Sequence, residues 1–235
     1  MSKLYIVATP IGNLEDITLR ALRVLKEVDY ILCEDTRVTQ KLLQGHKIKT
    51  RTISYHQHSS NTKENEIIRL LQEGKNFALV SDAGTPNVSD PGGKLVQSVL
   101  EKAGEDVEIE SVPGPSALVA AISVAGIALD KFIFLGFLPH KKGRQTILKK
   151  ISESGFPVIL YESKHRIVKL LEELIELKEK HQKRDKHVIS LENIIICREL
   201  TKMHETVYRG SIKDVKVELK ENSDNLKGEF VVIIY

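Results

Sequence analysis

Five short strand-like segments in the first half of the sequence end in residues that can do chemistry. Residues 4–8 lead into Thr9-Pro10-Ile11-Gly12-Asn13, and residues 30–33 into Glu34-Asp35-Thr36-Arg37. Residues 51–55 lead into His56-Gln57-His58, and residues 76–80 into Ser81-Asp82-Ala83-Gly84-Thr85-Pro86, with Ser89-Asp90-Pro91-Gly92-Gly93 close behind. Residues 107–112 lead into Pro113-Gly114-Pro115-Ser116-Ala117. Carboxylates and imidazoles such as Glu34, Asp35 and His56 suit proton transfer. Glycine-rich loops let a ligand approach the backbone and expose amide donors. Open α/β sheets bind ligands at the carboxyl ends of their strands, so five such exits on one edge would make one continuous pocket.

Each of these features also has a plainer reading. Glu34 and Asp35 could cap the helix that follows, where negative charge suits the helix dipole. The glycines and prolines could be tight turns. His56 and His58 form an HxH pair, but no cysteine lies near and no third ligand stands in helical register, so no metal is expected. Neither GxGxxG nor GxxxxGK[ST] occurs, which disfavours a standard dinucleotide or phosphate loop. A G-x-S-x-G elbow is also absent, which makes a Ser/His/Asp hydrolase a weak reading. Cys33 and Cys197 end apolar runs and read as small buried hydrophobes.

The elements that must carry these residues follow from periodicity. Strands are expected at 4–8, 30–33, 51–55, 76–80 and 107–112, with helices at 16–28, 36–43, 63–73 and 94–103 between them. Strands alternating with helices of this length indicate a largely parallel, helix-covered sheet. Pro113 and Pro115 remove backbone donors and interrupt the pattern. We place the domain boundary there, giving α/β domains at 1–113 and 114–235. In the second domain a helix is expected at 116–124, capped by Ser116, and another at 164–180. Strands are expected at 132–137, 157–161, 194–197, 205–208 and 229–234, some of them antiparallel, in a mixed sheet. The charged run 178–186 reads as an exposed helix end or loop.

The chain has 235 residues, 41% hydrophobic and 29% charged, which excludes wholesale disorder. Two cysteines exclude a disulfide scaffold or a cysteine-rich zinc site. The opening apolar run stops at Thr9-Pro10, too short for a secretory signal, and no run approaches the ~18 residues of a membrane span. The expectation is a soluble, reduced, cytoplasmic protein. The net charge of +3 does not by itself argue for nucleic acid. Its distribution says more. Residues 1–112 hold 14 basic and 16 acidic residues, a net of −2, whereas 113–235 hold 21 and 16, a net of +5. Lys141, Lys142, Arg144, Lys149 and Lys150 form a basic cluster with no acid among them.

As a set, these motifs resemble the small-subunit ribosomal RNA cytidine 2′-O-methyltransferases of the tetrapyrrole methylase superfamily. The resemblance is carried by Leu4-Tyr5-Ile6-Val7-Ala8-Thr9-Pro10-Ile11-Gly12-Asn13-Leu14-Glu15-Asp16-Ile17-Thr18, Cys33-Glu34-Asp35-Thr36-Arg37, Val80-Ser81-Asp82-Ala83-Gly84-Thr85-Pro86 and Val112-Pro113-Gly114-Pro115-Ser116-Ala117. Arg198-Glu199-Leu200-Thr201-Lys202-Met203-His204-Glu205, Phe134-Leu135-Gly136-Phe137-Leu138-Pro139 and Tyr161-Glu162-Ser163 extend it to the C-terminus. It implies S-adenosylmethionine as methyl donor, held in a cleft between two α/β domains of a homodimer. The donor-binding positions it implies are Ile11, Asp82, Ala83, Gly84, Thr85, Val88, Ser116, Ala117, Tyr161, Glu162 and Leu200. It also implies a small ribosomal subunit or its RNA as partner. Three features depart from the family: Lys164 replaces a usual proline, Gln57 and Ser59 replace a usual Glu and Asn, and the family commonly runs tens of residues past Tyr235.

The implied reaction is attack of a ribose 2′-hydroxyl on a sulfonium methyl group. It needs orientation above all and an acceptor for the hydroxyl proton. Glu34, Asp35, His56, Glu162 and Glu199 are candidates, with a preference for Glu34 and Asp35 at a central strand end. Arg37, Arg198, Lys141, Lys142 and Arg144 could hold phosphates, contacts that position RNA without reading bases. For the lysine cluster, a solvated loop is the alternative. Two rival functions remain: a small-molecule methyltransferase of the same superfamily, acting on a tetrapyrrole or diphthine-type substrate, and a non-catalytic RNA-binding assembly protein.

Overall fold

The computed structural model describes residues 1–56, 59–90, 93–182 and 191–235. His58 of the HxH pair, Gln57, the Pro91-Gly92 pair and residues 183–190 of the charged run lie outside that set. The chain divides into two compact units, Met1–Ser116 and Ala117–Tyr235.

The first unit is a five-stranded, wholly parallel sheet: β1 (Ser2–Val7), β2 (Tyr30–Cys33), β3 (Arg51–Ser54), β4 (Phe77–Val80) and β5 (Val107–Val112), in the order β3-β2-β4-β1-β5. Helices α1 (Leu19–Glu27), α2 (Thr36–Gly45), α3 (Asn61–Gln72) and α4 (Gly93–Lys102) connect the strands. The side-chain alternation of the strands feeds two cores. Val7, Ile31, Cys33, Ala78 and Val80 pack with Ala21, Val24 and Leu25 of α1. Leu4, Leu32, Phe77 and Leu79 pack with Ile67 and Leu71 of α3 and Leu95 and Val99 of α4. Burial on both faces explains why the central strands β2 and β4 read as unbroken apolar runs, whereas the edge strands β3 and β5 carry polar residues.

Strand order fixes where the exits fall. The chain fills the sheet from β2 and β3 on one side, inserts β4 beside β1, and ends with β5 on the other side of β1. Val7 is in register with both Val80 and Val112, so the β1, β4 and β5 exits leave side by side at this topological switch.

The second unit is a mixed sheet ordered β6-β7-β10-β8-β9, with β6 (Ile133–Phe137), β7 (Val158–Ser163), β8 (Asn193–Arg198), β9 (Thr206–Ser211) and β10 (Glu229–Ile234). Among the described residues of this unit only β6 and β7 pair in parallel; the β7–β10, β10–β8 and β8–β9 pairs are antiparallel. Helices α6 (Arg144–Ser152), α7 (Ile167–Gln182) and α8 (Ile212–Glu221) bury Leu148, Ile151, Leu170, Leu174, Val215 and Leu219 against Val158, Leu160, Ile194, Ile196 and Val232. Helix α5 (Ala117–Val124) lies against β10.

Three elements differ from expectation. The helix expected at 16–28 begins at Leu19, because Thr18 is extended (φ −77°, ψ 150°) and its hydroxyl caps the Ala21 amide. A single 3-10 turn, Leu14–Asp16, capped by Asn13, precedes it. The basic stretch after His140 is not a loop throughout: α6 occupies Arg144–Ser152, with Arg144, Leu148 and Ile151 inward at helical spacing. Helix α8 was not expected; it opens with Ser211 capping Asp214 and buries Ile212, Val215 and Leu219.

Candidate active site

In the first unit the β1, β4 and β5 exits are tied into one structure. Thr9 and Gly84 exchange backbone hydrogen bonds of 2.9 and 3.0 Å, a one-residue bridge between the first and fourth exits. The buried Thr9 hydroxyl donates to the Ser81 carbonyl (3.1 Å), and the buried Ser81 hydroxyl to the Gly84 carbonyl (3.0 Å). Thr85 donates its hydroxyl to the Pro115 carbonyl at 3.0 Å, which brings in the fifth exit. These bonds satisfy polar groups that loops at the end of a buried sheet would otherwise leave stranded. Two glycines fit closely here. Gly84 has φ +84°, and a Cβ there would stand 3.4 Å from Ile11 Cγ2. At Gly114 a Cβ would come within 3.1 Å of Ala8 Cβ. Asn87 and Ser89 follow at φ +73° and +68°, so the β4 loop continues in left-handed backbone.

The second and third exits join the same edge. The Asp35 amide donates to Asp82 Oδ1 at 3.1 Å, and Ser54 donates to the Glu34 carbonyl. Glu34, His56 and Asp82 are exposed there. Asp35 is already committed. Its carboxylate caps α2 through the Arg37 amide and pairs with the Arg37 guanidinium at 2.6 Å. The Arg37 guanidinium, and then its amide, hold the carboxyl down at about 2, so it binds protons too weakly to serve well as a base near neutrality. Arg37 is spent on this pair at its own helix start.

A residue that sequence reading missed stands behind this edge. Glu64 of α3 is buried. Its carboxylate accepts from the Tyr55 hydroxyl (3.3 Å) and the Ser98 hydroxyl (2.7 Å) and pairs with Lys94 and Lys102 at 3.4 Å each. Burial pushes its pKa up, but Ser98 and the two ammonium groups outweigh that and leave it below the ordinary value. Burial, and then the neighbouring Glu64, push Tyr55 up to about 12. Its only sequence signal was a carboxylate among apolar Ile67, Ile68 and Leu71.

In the second unit the register sets Glu162 of β7 and Arg198 of β8 on either side of Phe230. The β7 and β8 exits therefore leave by one edge. Tyr161 accepts the Leu118 amide on its hydroxyl (3.2 Å) and packs edge-on against Phe134 and Phe137. Glu162 is buried. It takes the Ser163 amide (2.7 Å) and Arg166 (2.8 Å), and faces Arg144 at 3.6 Å. Arg144 is 3% exposed and grips Glu173 in bidentate fashion, Nε to Oε1 at 3.2 Å and Nη2 to Oε2 at 2.7 Å. Arg198 is 6% exposed and spends its guanidinium on the carbonyls of Lys227, His204 and Asp224. Both arginines are thus corrected: expected to hold RNA phosphates, they are interior fasteners of loops. Glu162 is likewise removed from the proton acceptors, being sealed among guanidinium groups.

The loop after β8 is strained. Glu199 and Thr201 have φ +52° and +67°. Glu199 accepts the Glu229 amide (2.9 Å) and Lys202 (2.9 Å). Burial raises its pKa, but Lys202 and the Glu229 amide more than offset this and hold it low. Gly228 (φ +102°) makes room: a Cβ there would overlap the Glu199 carboxyl group. Glu199 therefore acts as a loop clamp rather than a free base, and it presents the buried Leu200. Lys141 and Lys142 are exposed just before α6. Ile11, Ala83, Val88, Ser116 and Ala117 sit on the exits where the sequence placed them, with Ala83 exposed and Ile11 buried. No group of three or more metal-ligating side chains occurs among the described residues.

Gly84 carries no side chain toward Ile11, and Asp82 is exposed beside it.

Comparison with known proteins gives the same picture. The family model for tetrapyrrole (corrin/porphyrin) methylases matches residues 3–216. A protein of Thermotoga maritima named ribosomal RNA small subunit methyltransferase I is 41% identical over 100% of this chain and 98% of its own length. Proteins of the same name from a Hydrogenobaculum species and from Escherichia coli O157:H7 are 44% and 42% identical over 99% of this chain, covering 95% and 77% of theirs. Two solved structures share the fold. A cobalt precorrin-4 methyltransferase of cobalamin biosynthesis has a TM-score of 0.67 at 21% identity, over 98% of this chain and 94% of its own. The uroporphyrin-III-C-methyltransferase of Thermus thermophilus has a TM-score of 0.59 at 22% identity, over 99% and 94%. With the fold, the strand-exit loops and these relatives in agreement, the chain belongs to the tetrapyrrole methylase family and is an S-adenosylmethionine-dependent methyltransferase.

Proposed function

We propose that this chain methylates the ribose 2′-hydroxyl of a cytidine in small-subunit ribosomal RNA. The observation that carries the reading is the match of 40% identity or more, over nearly the whole chain, to relatives named for ribosomal RNA small subunit methylation.

S-adenosylmethionine supplies an activated methyl group on a sulfonium. On this reading Ile11, Asp82, Ala83, Gly84, Thr85, Val88 and Ser116 are the first unit's donor-binding positions. Ala117, Tyr161, Glu162 and Leu200 are those of the second unit, with Glu162 acting through its backbone because its carboxylate is engaged. The sulfonium charge vanishes during transfer, so the protein's task is alignment, and rigid loops supply it. The ribose hydroxyl needs a proton acceptor. With Asp35, Glu162 and Glu199 committed elsewhere, Glu34 and His56 remain, on the exits of neighbouring strands β2 and β3.

We carry a homodimer as part of the proposal. Edge strand β6 exposes Ile133, Leu135 and Phe137, and α5 exposes Val119 and Val124. An apolar sheet edge left open invites pairing.

The test is incubation of the protein with methyl-tritiated S-adenosylmethionine and small ribosomal subunits from cells lacking the modification. The expected result is label in 2′-O-methylcytidine after nuclease digestion. Label in a tetrapyrrole precursor and none in RNA would overturn the reading.

A further inference from the structure

We infer that Lys141, Lys142 and Lys164 form one phosphate-binding rim by which RNA docks on the second unit. The inference rests on the substrate reading above and adds the surface that receives the substrate.

Strands β6 and β7 are parallel neighbours, so the loops after Phe137 and Ser163 leave the sheet at the same edge. Those loops are fastened from within. Arg166 donates to the Leu138 carbonyl at 2.7 Å, and Arg144 to the Pro139 carbonyl at 3.4 Å. Both guanidiniums converge on buried Glu162, and Arg144 also holds Glu173. Two arginines and two carboxylates cancel in the interior. The nearby acid charge is thus sealed away, with the Glu162 and Glu173 side chains 0% and 13% exposed.

What these loops show to water is cationic. Lys141, Lys142 and Lys164 are exposed, and no ion pair involves any of them among the described residues. Some lysines elsewhere on this unit are neutralised: Lys213 pairs with Glu179, and Lys216 and Lys220 with Glu172; what sets Lys141, Lys142 and Lys164 apart is their place on two loops that leave the sheet at one edge. Three unpaired ammonium groups on a backbone already held in place suit a polyanion, because little ordering cost remains on binding. Lysine meets phosphate as a point charge, so the rim positions a nucleic-acid backbone without reading its bases. Tyr161, on the same strand as the 163–166 turn, places the rim beside a donor-binding position.

The experiment compares wild type with Lys141→Ala/Lys142→Ala/Lys164→Ala and a control, Lys213→Ala/Lys216→Ala/Lys220→Ala. Filter binding measures affinity for small ribosomal subunits across a salt series, and calorimetry measures affinity for S-adenosylmethionine. Each lost phosphate contact should flatten the slope of log affinity against log salt by about 0.7 to 0.9, so the rim variant should lose roughly 2 to 3. Its subunit affinity should fall at least ~10-fold at moderate salt, with donor affinity unchanged, which also shows that it has folded. The control should keep the wild-type slope. A rim variant with the wild-type slope, or a control that flattens equally, would overturn the inference while label transfer by wild type still upholds the substrate reading. Failure of wild type to label subunits would overturn the substrate reading itself.

Discussion

Asp35 and Glu34 are adjacent, yet their environments assign them different work. Asp35 is locked to Arg37 and held at about 2; Glu34 is exposed beside it. Replacing Asp35 by Asn should leave kcat near that of wild type. Replacing Glu34 by Gln, or His56 by Gln, should lower kcat by about 10²–10⁴-fold for whichever is the acceptor. An unchanged kcat in both of those variants would remove the pair from proton transfer. Glu64 offers a separate test. Its folded pKa lies below the ordinary 4.5, so its ionised form contributes stability above that value and the contribution is lost as pH falls through the folded pKa. Urea unfolding of Glu64→Gln should show a shallower loss of stability below pH 4.5 than wild type, and Glu64→Ala should cost about 1 to 3 kcal/mol at neutral pH, because it leaves the Tyr55 and Ser98 hydroxyls without their buried acceptor. Parallel pH–stability curves would contradict this account.

Loops and helices carry the next set of consequences. The clamp after β8 depends on the bare Cα of Gly228. A methyl there meets Glu199 and sits at φ +102°, so Gly228→Ala should cost at least ~1–3 kcal/mol and weaken donor binding through the displaced Leu200 loop. Wild-type donor affinity in a folded Gly228→Ala variant would disconnect that loop from the site. This scale also shows what sequence could and could not disclose. Strands β2, β5 and β10 were legible residue for residue: β2 and β10 are dense apolar runs, and β5 alternates valine and isoleucine with polar residues up to the Pro113 break. Helices α6 and α8 were not, since only three or four inward residues interrupt a charged surface, and a stripe so thin looks like a loop. Arg144 shows the limit most clearly. It follows Lys141 and Lys142 in one basic run, yet it is interior, because its partner Glu173 lies 29 positions away. Sequence neighbours share charge, but burial is decided by a distant element.

For the molecule as a whole, the uneven charge tells more than its sum. Residues 113–116 carry no charge, so the first unit holds −2 and the second +5. The glycine loops of the first unit, proposed to hold the donor, and the lysine rim proposed on the second would divide chemistry from RNA docking. The exits were legible because glycines, prolines and carboxylates stand directly after the strands. The fastening network was not, because nothing local distinguishes a buried ion pair from a solvated one. If the β6 edge and α5 meet a second copy, sedimentation velocity should give twice the 26.5 kDa of one chain. Leu135→Lys/Phe137→Lys should shift it to the monomer, and a wild-type monomer at micromolar concentration would refute the pairing.

The account stands most directly on the bridged first, fourth and fifth exits as the seat of the methyl donor. Calorimetric titration with S-adenosylmethionine should give saturable one-site binding to wild type. Gly84→Val should lose it, because a branched side chain at φ +84° faces Ile11 across the loop, while Gly74→Ala, in open space behind the sheet, should retain it. Equal donor affinity in wild type and a folded Gly84→Val variant would contradict the account.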